Sequence, residues 1–242
     1  MYIINLYQLG IIFNPIGEHM SLQQIELISF ELCPFVLRSV ITLKKKGIDF
    51  NITFIDLENK PEWFLKISPL GKVPVLKYGA DVIFESAVIN EFLDEISPPM
   101  LMPADPLQKA KDRGWIEYAS ALTVNQYMLT MADSKSDFDT QRIEMLSKLQ
   151  RLENVITGSN FFNNVNFSLV DAALAPLLYR FTLIEKLFGQ FFLHQFPKLQ
   201  KISDKIVEQP YVKGATIDDF EMVFIDYLKN NNSYLSTLIS KF

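Results

Sequence analysis

Cysteine and histidine are the residues that this sequence most lacks. Its 242 residues include one cysteine, Cys33, and two histidines, His19 and His194. A single cysteine excludes an intramolecular disulfide and a cysteine-based metal cluster, and it suits a reducing compartment. A histidine metal cage and a Ser-His-Asp triad also lack parts. We therefore expect no bound metal and a cytoplasmic protein.

Long apolar runs and an excess of positive charge are missing as well. No stretch of about 18 uncharged apolar residues occurs, so we expect no contact with the membrane interior. The 23 basic and 28 acidic side chains leave a net charge of −5, which argues against nucleic acid as a partner. Residues 1–22 have neither a basic leader nor a small-residue cleavage site, and we expect an N-terminal extension rather than a signal peptide.

Two kinds of hydrophobic pattern divide the rest of the chain. Residues 23–97 alternate short strand-like runs with helical patterns in the order βαβαββα, which predicts an α/β domain. Residues 98–106 contain four prolines and are predicted to be a linker. Residues 107–242 show helical patterns alone, which predicts an all-α domain. Within it, Ser168 and Asp171 have the spacing of a capping box that begins a helix.

Cys33 is the candidate reactive group. It follows a strand-like run and precedes Pro34, a favoured first residue of a helix. Helix N-termini favour a thiolate, and Arg38 lies one turn further on, so we expect a pKa below the ordinary thiol value of about 8.5. The alternative is an inert, buried structural cysteine. Val36 stands where a dithiol oxidoreductase has its second cysteine, so an external thiol must resolve any disulfide on Cys33, and glutathione is the abundant candidate.

Four motifs resemble the omega-class, cysteine-type glutathione S-transferases. They are Cys33-Pro34-Phe35-Val36-Leu37-Arg38, Asn59-Lys60-Pro61-Glu62-Trp63-Phe64, Ser68-Pro69-Leu70-Gly71-Lys72-Val73-Pro74-Val75-Leu76 and Glu85-Ser86. The resemblance extends over roughly residues 25–190. It implies a thioredoxin-like domain joined to a helical domain, glutathione as co-substrate, a homodimer, and a cis peptide bond between Val73 and Pro74.

The resemblance also implies a set of glutathione contacts. Lys60 would face the glycyl carboxylate, Glu85 would hold the γ-glutamyl ammonium, and Ser86 would hold the γ-glutamyl carboxylate. The backbone of Val73 would pair with the glutathione backbone as an added strand does. The remaining residues expected along the same groove are Phe35, Leu57, Lys72 and Pro74. The residues taken without the family resemblance leave an alternative open. In it, Lys60 and Lys72 are solvated lysines without a ligand, and Glu85 is an acid that stabilises the start of a helix.

Four residues of the helical domain are candidates for the pocket of the second substrate: Trp115, Tyr118, Leu122 and Tyr179. They lie on helices that the resemblance places beside the groove. The alternative is that they belong to the core, as aromatic stripes at helical spacing usually do.

The leading interpretation is an enzyme that performs glutathione-dependent thiol transfer and reduction of mixed disulfides, dehydroascorbate or similar electrophiles. Cys33 replaces the serine or tyrosine that activates glutathione in other transferase classes, which makes conjugation the less favoured reaction. One rival is a non-catalytic binding protein of the same fold, such as the starvation-type regulators that contact RNA polymerase. Another is a glutathione-dependent dehalogenase or isomerase, which the motifs of residues 25–106 do not distinguish from thiol transfer.

Overall fold

A computed structural model describes residues 12–13, 19–20, 23–163 and 165–239. The first two segments are short strands, β1 (Ile12–Phe13) and β2 (His19–Met20), which pair antiparallel. The rest of the expected extension, residues 1–22, lies outside the described residues.

The first domain has a thioredoxin-like βαβαββα order, as predicted. Its strands are β3 (Ile25–Ser29), β4 (Asn51–Phe54), β5 (Val75–Tyr78) and β6 (Asp81–Phe84), and its helices are α1 (Pro34–Lys46), α2 (Glu62–Ile67) and α3 (Ser86–Glu95). The sheet order is β4-β3-β5-β6. Strand β3 runs parallel to β4 and antiparallel to β5, and β5 and β6 form an antiparallel hairpin.

Helix α1 makes the crossover between the two parallel strands and begins and ends where the sequence predicts. Pro34 occupies the first helical position, where its missing N–H costs no hydrogen bond. Gly47 ends the helix with a left-handed φ of 64°, a conformation that glycine adopts without a steric penalty. Because only residues 30–33 separate the end of β3 from the start of α1, Cys33, the last of them, stands at the carboxyl edge of the sheet.

The second domain is helical in all its described residues. Its elements are α4 (Pro106–Met131), α5 (Lys135–Val155), α6 (Leu169–Phe188), α7 (Pro197–Val207), α8 (Pro210–Lys213), α9 (Phe220–Asn230) and a 3₁₀ turn (Tyr234–Leu238). Helix α6 is the centre of this domain and is buried along most of its length. The capping box is confirmed: the Ser168 side chain accepts from the Asp171 N–H, and the Asp171 carboxylate accepts from the Ser168 N–H.

The two domains pack together through α1, which lies against α6 and α8. Between α3 and α4 the chain forms neither helix nor strand. A buried ion pair fixes this segment, because the Lys46 ammonium lies 2.8 Å from the Asp94 carboxylate, which also accepts from the N–H groups of Leu101 and Met102. The exact domain boundaries stay a prediction. None of the helices among the described residues combines the length and the apolar character needed to cross a bilayer.

Candidate active site

Cys33 lies at the start of α1 in an extended conformation, with φ −73° and ψ 116°. Its side chain is half-buried. The sulfur approaches the Val73 carbonyl oxygen at 3.9 Å, and it makes no cap hydrogen bond to the helix. The thiol thus stands between the helix N-terminus and the loop that precedes β5.

The ionisation of Cys33 differs from the expectation. Burial raises the pKa of the thiol above its ordinary value. The backbone N–H groups of Val36 and Phe35 and the charges of Arg180 and Arg38 act in the opposite direction and do not offset the burial. The sequence-based prediction of a lowered pKa is therefore wrong for the ligand-free protein. That prediction included the helix N-terminus and Arg38, which lower the pKa, but the sequence does not show how far the second domain removes the thiol from water.

Two buried arginines flank the thiol. Arg38 is 1% and Arg180 5% exposed, and burial lowers the pKa of each guanidinium to about 10, so both remain charged near neutral pH. Arg38 donates to the Ser120 hydroxyl at 2.9 Å, and Arg180 donates to the Leu32 carbonyl. Neither forms an ion pair with any described carboxylate.

A cavity of ≈ 460 Å³, here called the thiol cavity, opens between the two domains at Cys33. The first domain supplies one wall, formed by Phe30, Leu32, Cys33, Pro34, Phe35, Leu57, Lys60, Gly71, Lys72 and Val73. The helical domain supplies the other, formed by Thr123, Val124, Tyr127, Thr130, Met131, Arg180, Phe224, Tyr227 and Leu228. Most of these side chains are apolar or aromatic, and a few polar groups stand among them, which is typical of a small-molecule site.

A smaller cavity of ≈ 190 Å³, here called the side cavity, adjoins the first. The two share Phe35, Lys72, Val73 and Val124. The side cavity adds Ser68, Leu70, Pro74, Phe84, Glu85 and Ser86. Together the two cavities form a continuous surface that runs from the thiol to the start of α3.

The loop between α2 and β5 forms the common wall of the two cavities. The Ser68 hydroxyl donates to the Lys72 carbonyl at 2.9 Å and accepts from the Lys72 N–H at 2.9 Å. These two bonds close a compact turn that presents Lys72 and Val73 to the cavities. The Val73-Pro74 peptide bond that follows is cis, which confirms the expectation drawn from the family resemblance.

Glu85 has a backbone conformation that is rare for a residue with a side chain. Its φ is 68°, and it directly precedes α3. Such a conformation costs on the order of 1–3 kcal/mol and is common at ligand sites. It leaves the Glu85 carboxylate exposed and the Ser86 side chain buried in the wall of the side cavity, so one turn of backbone presents an acid, a hydroxyl and a helix N-terminus.

The nine first-domain residues singled out from the sequence all come together here. Six of them line the thiol cavity: Cys33, Phe35, Leu57, Lys60, Lys72 and Val73. The other three line the side cavity: Pro74, Glu85 and Ser86. Their convergence is a finding, whereas the role of each toward a ligand stays a prediction.

The structure does not bring the four candidate pocket residues of the helical domain to either cavity. Leu122 is fully buried in the helical core. Trp115 packs against Tyr118 and Phe162, and the Tyr118 hydroxyl donates to the Lys148 carbonyl on α5. Tyr179 packs against Phe220. All four pack into the helical core, which is the alternative that their helical spacing left open.

Other residues of the helical domain take the place of these four at the cavity. Thr123, Val124 and Tyr127, which follow Leu122 on α4, line the thiol cavity. Arg180 carried a usable signal, because a charge in the middle of the apolar helix α6 is unusual without a function. Phe224 and Tyr227 had none, since they fall in the C-terminal part of the chain that no motif covers.

Two family models match the chain. Glutathione S-transferase, N-terminal domain, matches residues 32–96, and glutathione S-transferase, C-terminal domain, matches residues 109–204. Together the matches cover more than half of the chain and include Cys33, Glu85 and Arg180.

Relatives and solved structures agree with these matches. Glutathione S-transferase omega-1 of Sus scrofa is 30% identical over 213 residues, which cover 86% of this chain and 87% of that protein. The crystal structure of glutathione transferase Omega 3C from Trametes versicolor superposes with a TM-score of 0.74 at 25% identity, over 87% of this chain and 92% of that one. Rice GST1, in complex with glutathione, superposes with a TM-score of 0.77 at 25% identity, over 88% and 98%.

Proposed function

Because the chain belongs to the glutathione S-transferase family, we propose that it is a cysteine-type, omega-like enzyme that exchanges sulfur with glutathione through Cys33. One observation carries the proposal: the single cysteine of the sequence lines a cavity of ≈ 460 Å³ at a helix N-terminus. The position that would hold an activating serine or tyrosine in other classes of the family is occupied by a nucleophilic side chain. A thiolate there attacks sulfur directly.

The reaction has two steps of thiol–disulfide exchange. With a mixed glutathione disulfide, the Cys33 thiolate attacks the glutathionyl sulfur, a Cys33–glutathione disulfide forms, and the other half leaves as a thiolate that takes up a proton. The thiolate of a second glutathione then attacks the glutathionyl sulfur of this adduct. Oxidised glutathione forms and the Cys33 thiolate is released. Dehydroascorbate is the second substrate class, reduced to ascorbate as two glutathione molecules become one disulfide.

The two cavities suit glutathione as the common reactant. Its cysteinyl sulfur would lie at Cys33, its backbone along Val73, and its γ-glutamyl end in the side cavity. There Glu85 would meet the ammonium group, and the Ser86 hydroxyl with the α3 N-terminus would hold the carboxylate. Lys60 is exposed and lines the thiol cavity, and it would face the glycyl carboxylate. Phe35, Leu57, Lys72 and Pro74 would enclose the chain between these ends.

The two buried arginines explain how a thiol with a raised pKa can still react. Arg180 and Arg38 both lower the pKa of Cys33, and neither forms an ion pair within 4.0 Å with a described carboxylate, while the more distant charge of Glu117 acts on Arg38. The Cys33 thiolate forms beside two buried cations, which favour it over the neutral thiol. Burial opposes ionisation and the two charges offset it only in part, so the thiolate that attacks is the less populated form of Cys33 in the ligand-free protein near neutral pH.

A panel assay tests the proposed reaction. The protein would be given reduced glutathione with a mixed glutathione disulfide, with dehydroascorbate, or with a chloroaromatic compound. We expect turnover of the first two, little conjugation of the third, and loss of thiol transfer in Cys33→Ser, because an alkoxide is too rarely populated near neutral pH to replace a thiolate. A panel dominated by the chloroaromatic would contradict thiol transfer and indicate a conjugating enzyme.

The same panel separates the rivals. A binding protein related to the starvation-type regulators would bind glutathione or nothing and would turn over none of the three compounds. The arrangement of Cys33, Lys60, Glu85 and Ser86 around two connected cavities argues against it. A dehalogenase would release halide from the chloroaromatic compound.

We also propose that the enzyme is a homodimer and works in a reducing compartment such as the cytoplasm. Reduced glutathione must be abundant for the second exchange step, which supports the compartment. Val82 and Phe84 of the edge strand β6, together with Val88 of α3, leave an apolar strip exposed, which supports an interface on this side of the first domain.

A further inference from the structure

Arg180 is a buried charge in the wall that the second substrate would face. The residue is 5% exposed and belongs to α6, and it lines the thiol cavity together with Lys60 and Lys72 of the first domain. Those two lysines are exposed at the rim. The rest of the wall contributed by the helical domain is mainly aliphatic and aromatic, so this one charge determines the polarity of an otherwise apolar surface.

The guanidinium is only partly satisfied within the protein. Nη2 donates to the Leu32 carbonyl, and the group lies 5.7 Å from the centre of the Phe224 ring. The Nε atom is buried and has no hydrogen-bond partner, and no carboxylate among the described residues forms an ion pair with Arg180. A buried charge without an anion is costly. Its retention in the cavity wall indicates that a ligand supplies the missing partner.

Two tyrosines share the wall of the thiol cavity with Arg180. They are Tyr127 and Tyr227, and the charge of Arg180 acts on the Tyr227 hydroxyl. Burial, the first of several causes, raises the pKa of Tyr227 to about 12, while the nearby charge of Arg180 lowers it, so Tyr227 keeps its proton and remains a donor. An arginine and a phenol on one wall form a donor set that suits a carboxylate.

We propose that the helical wall of the thiol cavity binds a carboxylate of the second substrate, with Arg180 as the charge partner and Tyr227 as an additional donor. The preferred electrophiles are then small acids: disulfides or other sulfur-reactive compounds that carry a negative group beside an apolar body. The proposal rests on the proposed function, since it names the substrate class of that same site. Arg180 would act by binding the substrate, in addition to its effect on Cys33.

The carboxylate could also come from glutathione, which has two. Those two are assigned to Lys60 and Ser86, on the other domain. If Arg180 held one of these carboxylates instead, replacing Arg180 would weaken the binding of glutathione itself. If Arg180 binds the second substrate, its replacement changes the apparent affinity for glutathione little. The loss of kcat/KM is then largest for negatively charged electrophiles.

Three small disulfides of similar size test the proposal: dithiodipropionate, which is anionic, hydroxyethyl disulfide, which is neutral, and cystamine, which is cationic. Each is assayed with reduced glutathione by the oxidised glutathione formed. We expect kcat/KM to follow the order anionic, neutral, cationic. In Arg180→Met the ratio of kcat/KM for the anionic disulfide to kcat/KM for the neutral one should fall at least tenfold. Arg180→Lys should keep part of the preference for the anionic disulfide.

The ratio between substrates is the readout because Arg180 also affects Cys33. If Arg180→Met acts only through the thiol or the position of Leu32, kcat/KM changes by the same factor for all three disulfides and the ratio stays the same. That result would overturn the proposal. Arg151→Met, which removes an exposed arginine on α5, is the matched control. Should Arg180→Met fail to fold, Tyr227→Phe keeps the ring and removes one donor, and a fall in the same ratio of about threefold or more is expected.

A binding measurement separates this proposal from the proposed function. S-carboxymethyl glutathione and its uncharged carbamoylmethyl analogue differ by one charge at the position of the electrophile. Calorimetry should show the acid binding more tightly to the wild type and equally to Arg180→Met. Equal affinities of the two compounds for the wild type would overturn the carboxylate site and leave the proposed thiol transfer intact. If neither compound binds and the neutral disulfide is not turned over, the proposed function itself is contradicted.

Discussion

Cys33 is subject to opposing influences that a linear motif does not show. The motif predicts a helix N-terminus at the thiol, and the structure places one there. The motif does not show how far packing against α4, α6 and α9 removes the thiol from water. This desolvation raises the pKa of Cys33, where the motif alone predicts a lowered pKa. Motif residues such as Phe35 and Val73 could be located from the sequence because they are contiguous in short loops. Arg180 could not, since it is about 150 positions away and meets Cys33 only in the folded chain.

The pH dependence of alkylation tests this balance at Cys33. The thiolate is the reacting form, and burial raises its pKa, so the rate of the ligand-free protein with a small neutral reagent should reach half its maximum above the ordinary value of about pH 8.5. Arg180→Met removes a charge that lowers this pKa, and the midpoint should move further upward, whereas Arg151→Met should not move it. A midpoint well below pH 8 in the wild type would show that the thiolate is already formed in the empty site.

Glu85 and Ser86 provide the second test at the residue scale. Glu85→Ala and Ser86→Ala should each weaken glutathione binding, because a hydrogen bond to a charged group contributes about 1.5–3 kcal/mol, or roughly tenfold to a hundredfold in affinity. Alkylation of Cys33 by a neutral reagent should stay nearly the same, since both residues lie in the side cavity. Calorimetry that finds unaltered affinity in both variants would remove them from the site.

Helices and strands were predicted unevenly, and the difference has a physical reason. Helix α1 follows from Pro34, its periodic apolar face and Gly47, all of which act locally. Strand β4 also follows from its pattern, but Ile52 and Phe54 are 39% and 43% exposed, because β4 is an edge strand and its apolar residues are not covered by a neighbour. In α4 the exact face toward the cavity depends on how the helix is rotated against α6, which periodicity alone does not define.

The capping box of α6 carries a testable pH dependence. Burial raises the pKa of Asp171 to about 6, against the hydrogen bonds from Ser168 and the Phe162 N–H. The folded state then binds this proton more tightly than the unfolded chain, whose aspartate pKa is about 3.9. The contribution is present below about pH 4 and is lost as the pH rises through about 6.

Denaturant unfolding of Asp171→Asn between pH 4 and 6.5 measures this contribution. The variant is less stable overall, because an amide cannot accept from all the donors that the carboxylate binds. It cannot titrate, however, so the part of the wild-type decline in unfolding free energy that Asp171 causes should disappear. Asp137→Asn, in the first turn of α5, is the matched control. Identical slopes for the wild type and Asp171→Asn would refute the assignment.

At the scale of the whole molecule, the site exists only because two domains meet. The first domain supplies the thiol and the groups proposed for glutathione, and the helical domain supplies the wall with Arg180 and Tyr227. The order of elements and the family were predictable from residues 25–106, where motifs are dense. The second wall was not, since it combines α4, α6 and α9, which share no local pattern.

The oligomeric state is the prediction that belongs to this scale. We expect sedimentation to give twice the single-chain mass of 27.9 kDa at micromolar concentration, with the apolar strip of Val82, Phe84 and Val88 at the interface. Val88→Glu should shift the protein toward one chain, because a charge would be buried against apolar surface. Met222→Glu on α9, a side chain that is just as exposed, should not. A single-chain mass for the wild type would rule out the dimer.

The central claim is that Cys33 forms a disulfide with glutathione during turnover. Mass spectrometry of the intact protein after treatment with oxidised glutathione tests it most directly. The account predicts one glutathionyl group per chain, located on Cys33, removed by reduced glutathione at a rate that supports the thiol-transfer activity, and absent together with that activity in Cys33→Ser. Full thiol-transfer activity in Cys33→Ser, or an adduct that reduced glutathione does not remove, would contradict the mechanism.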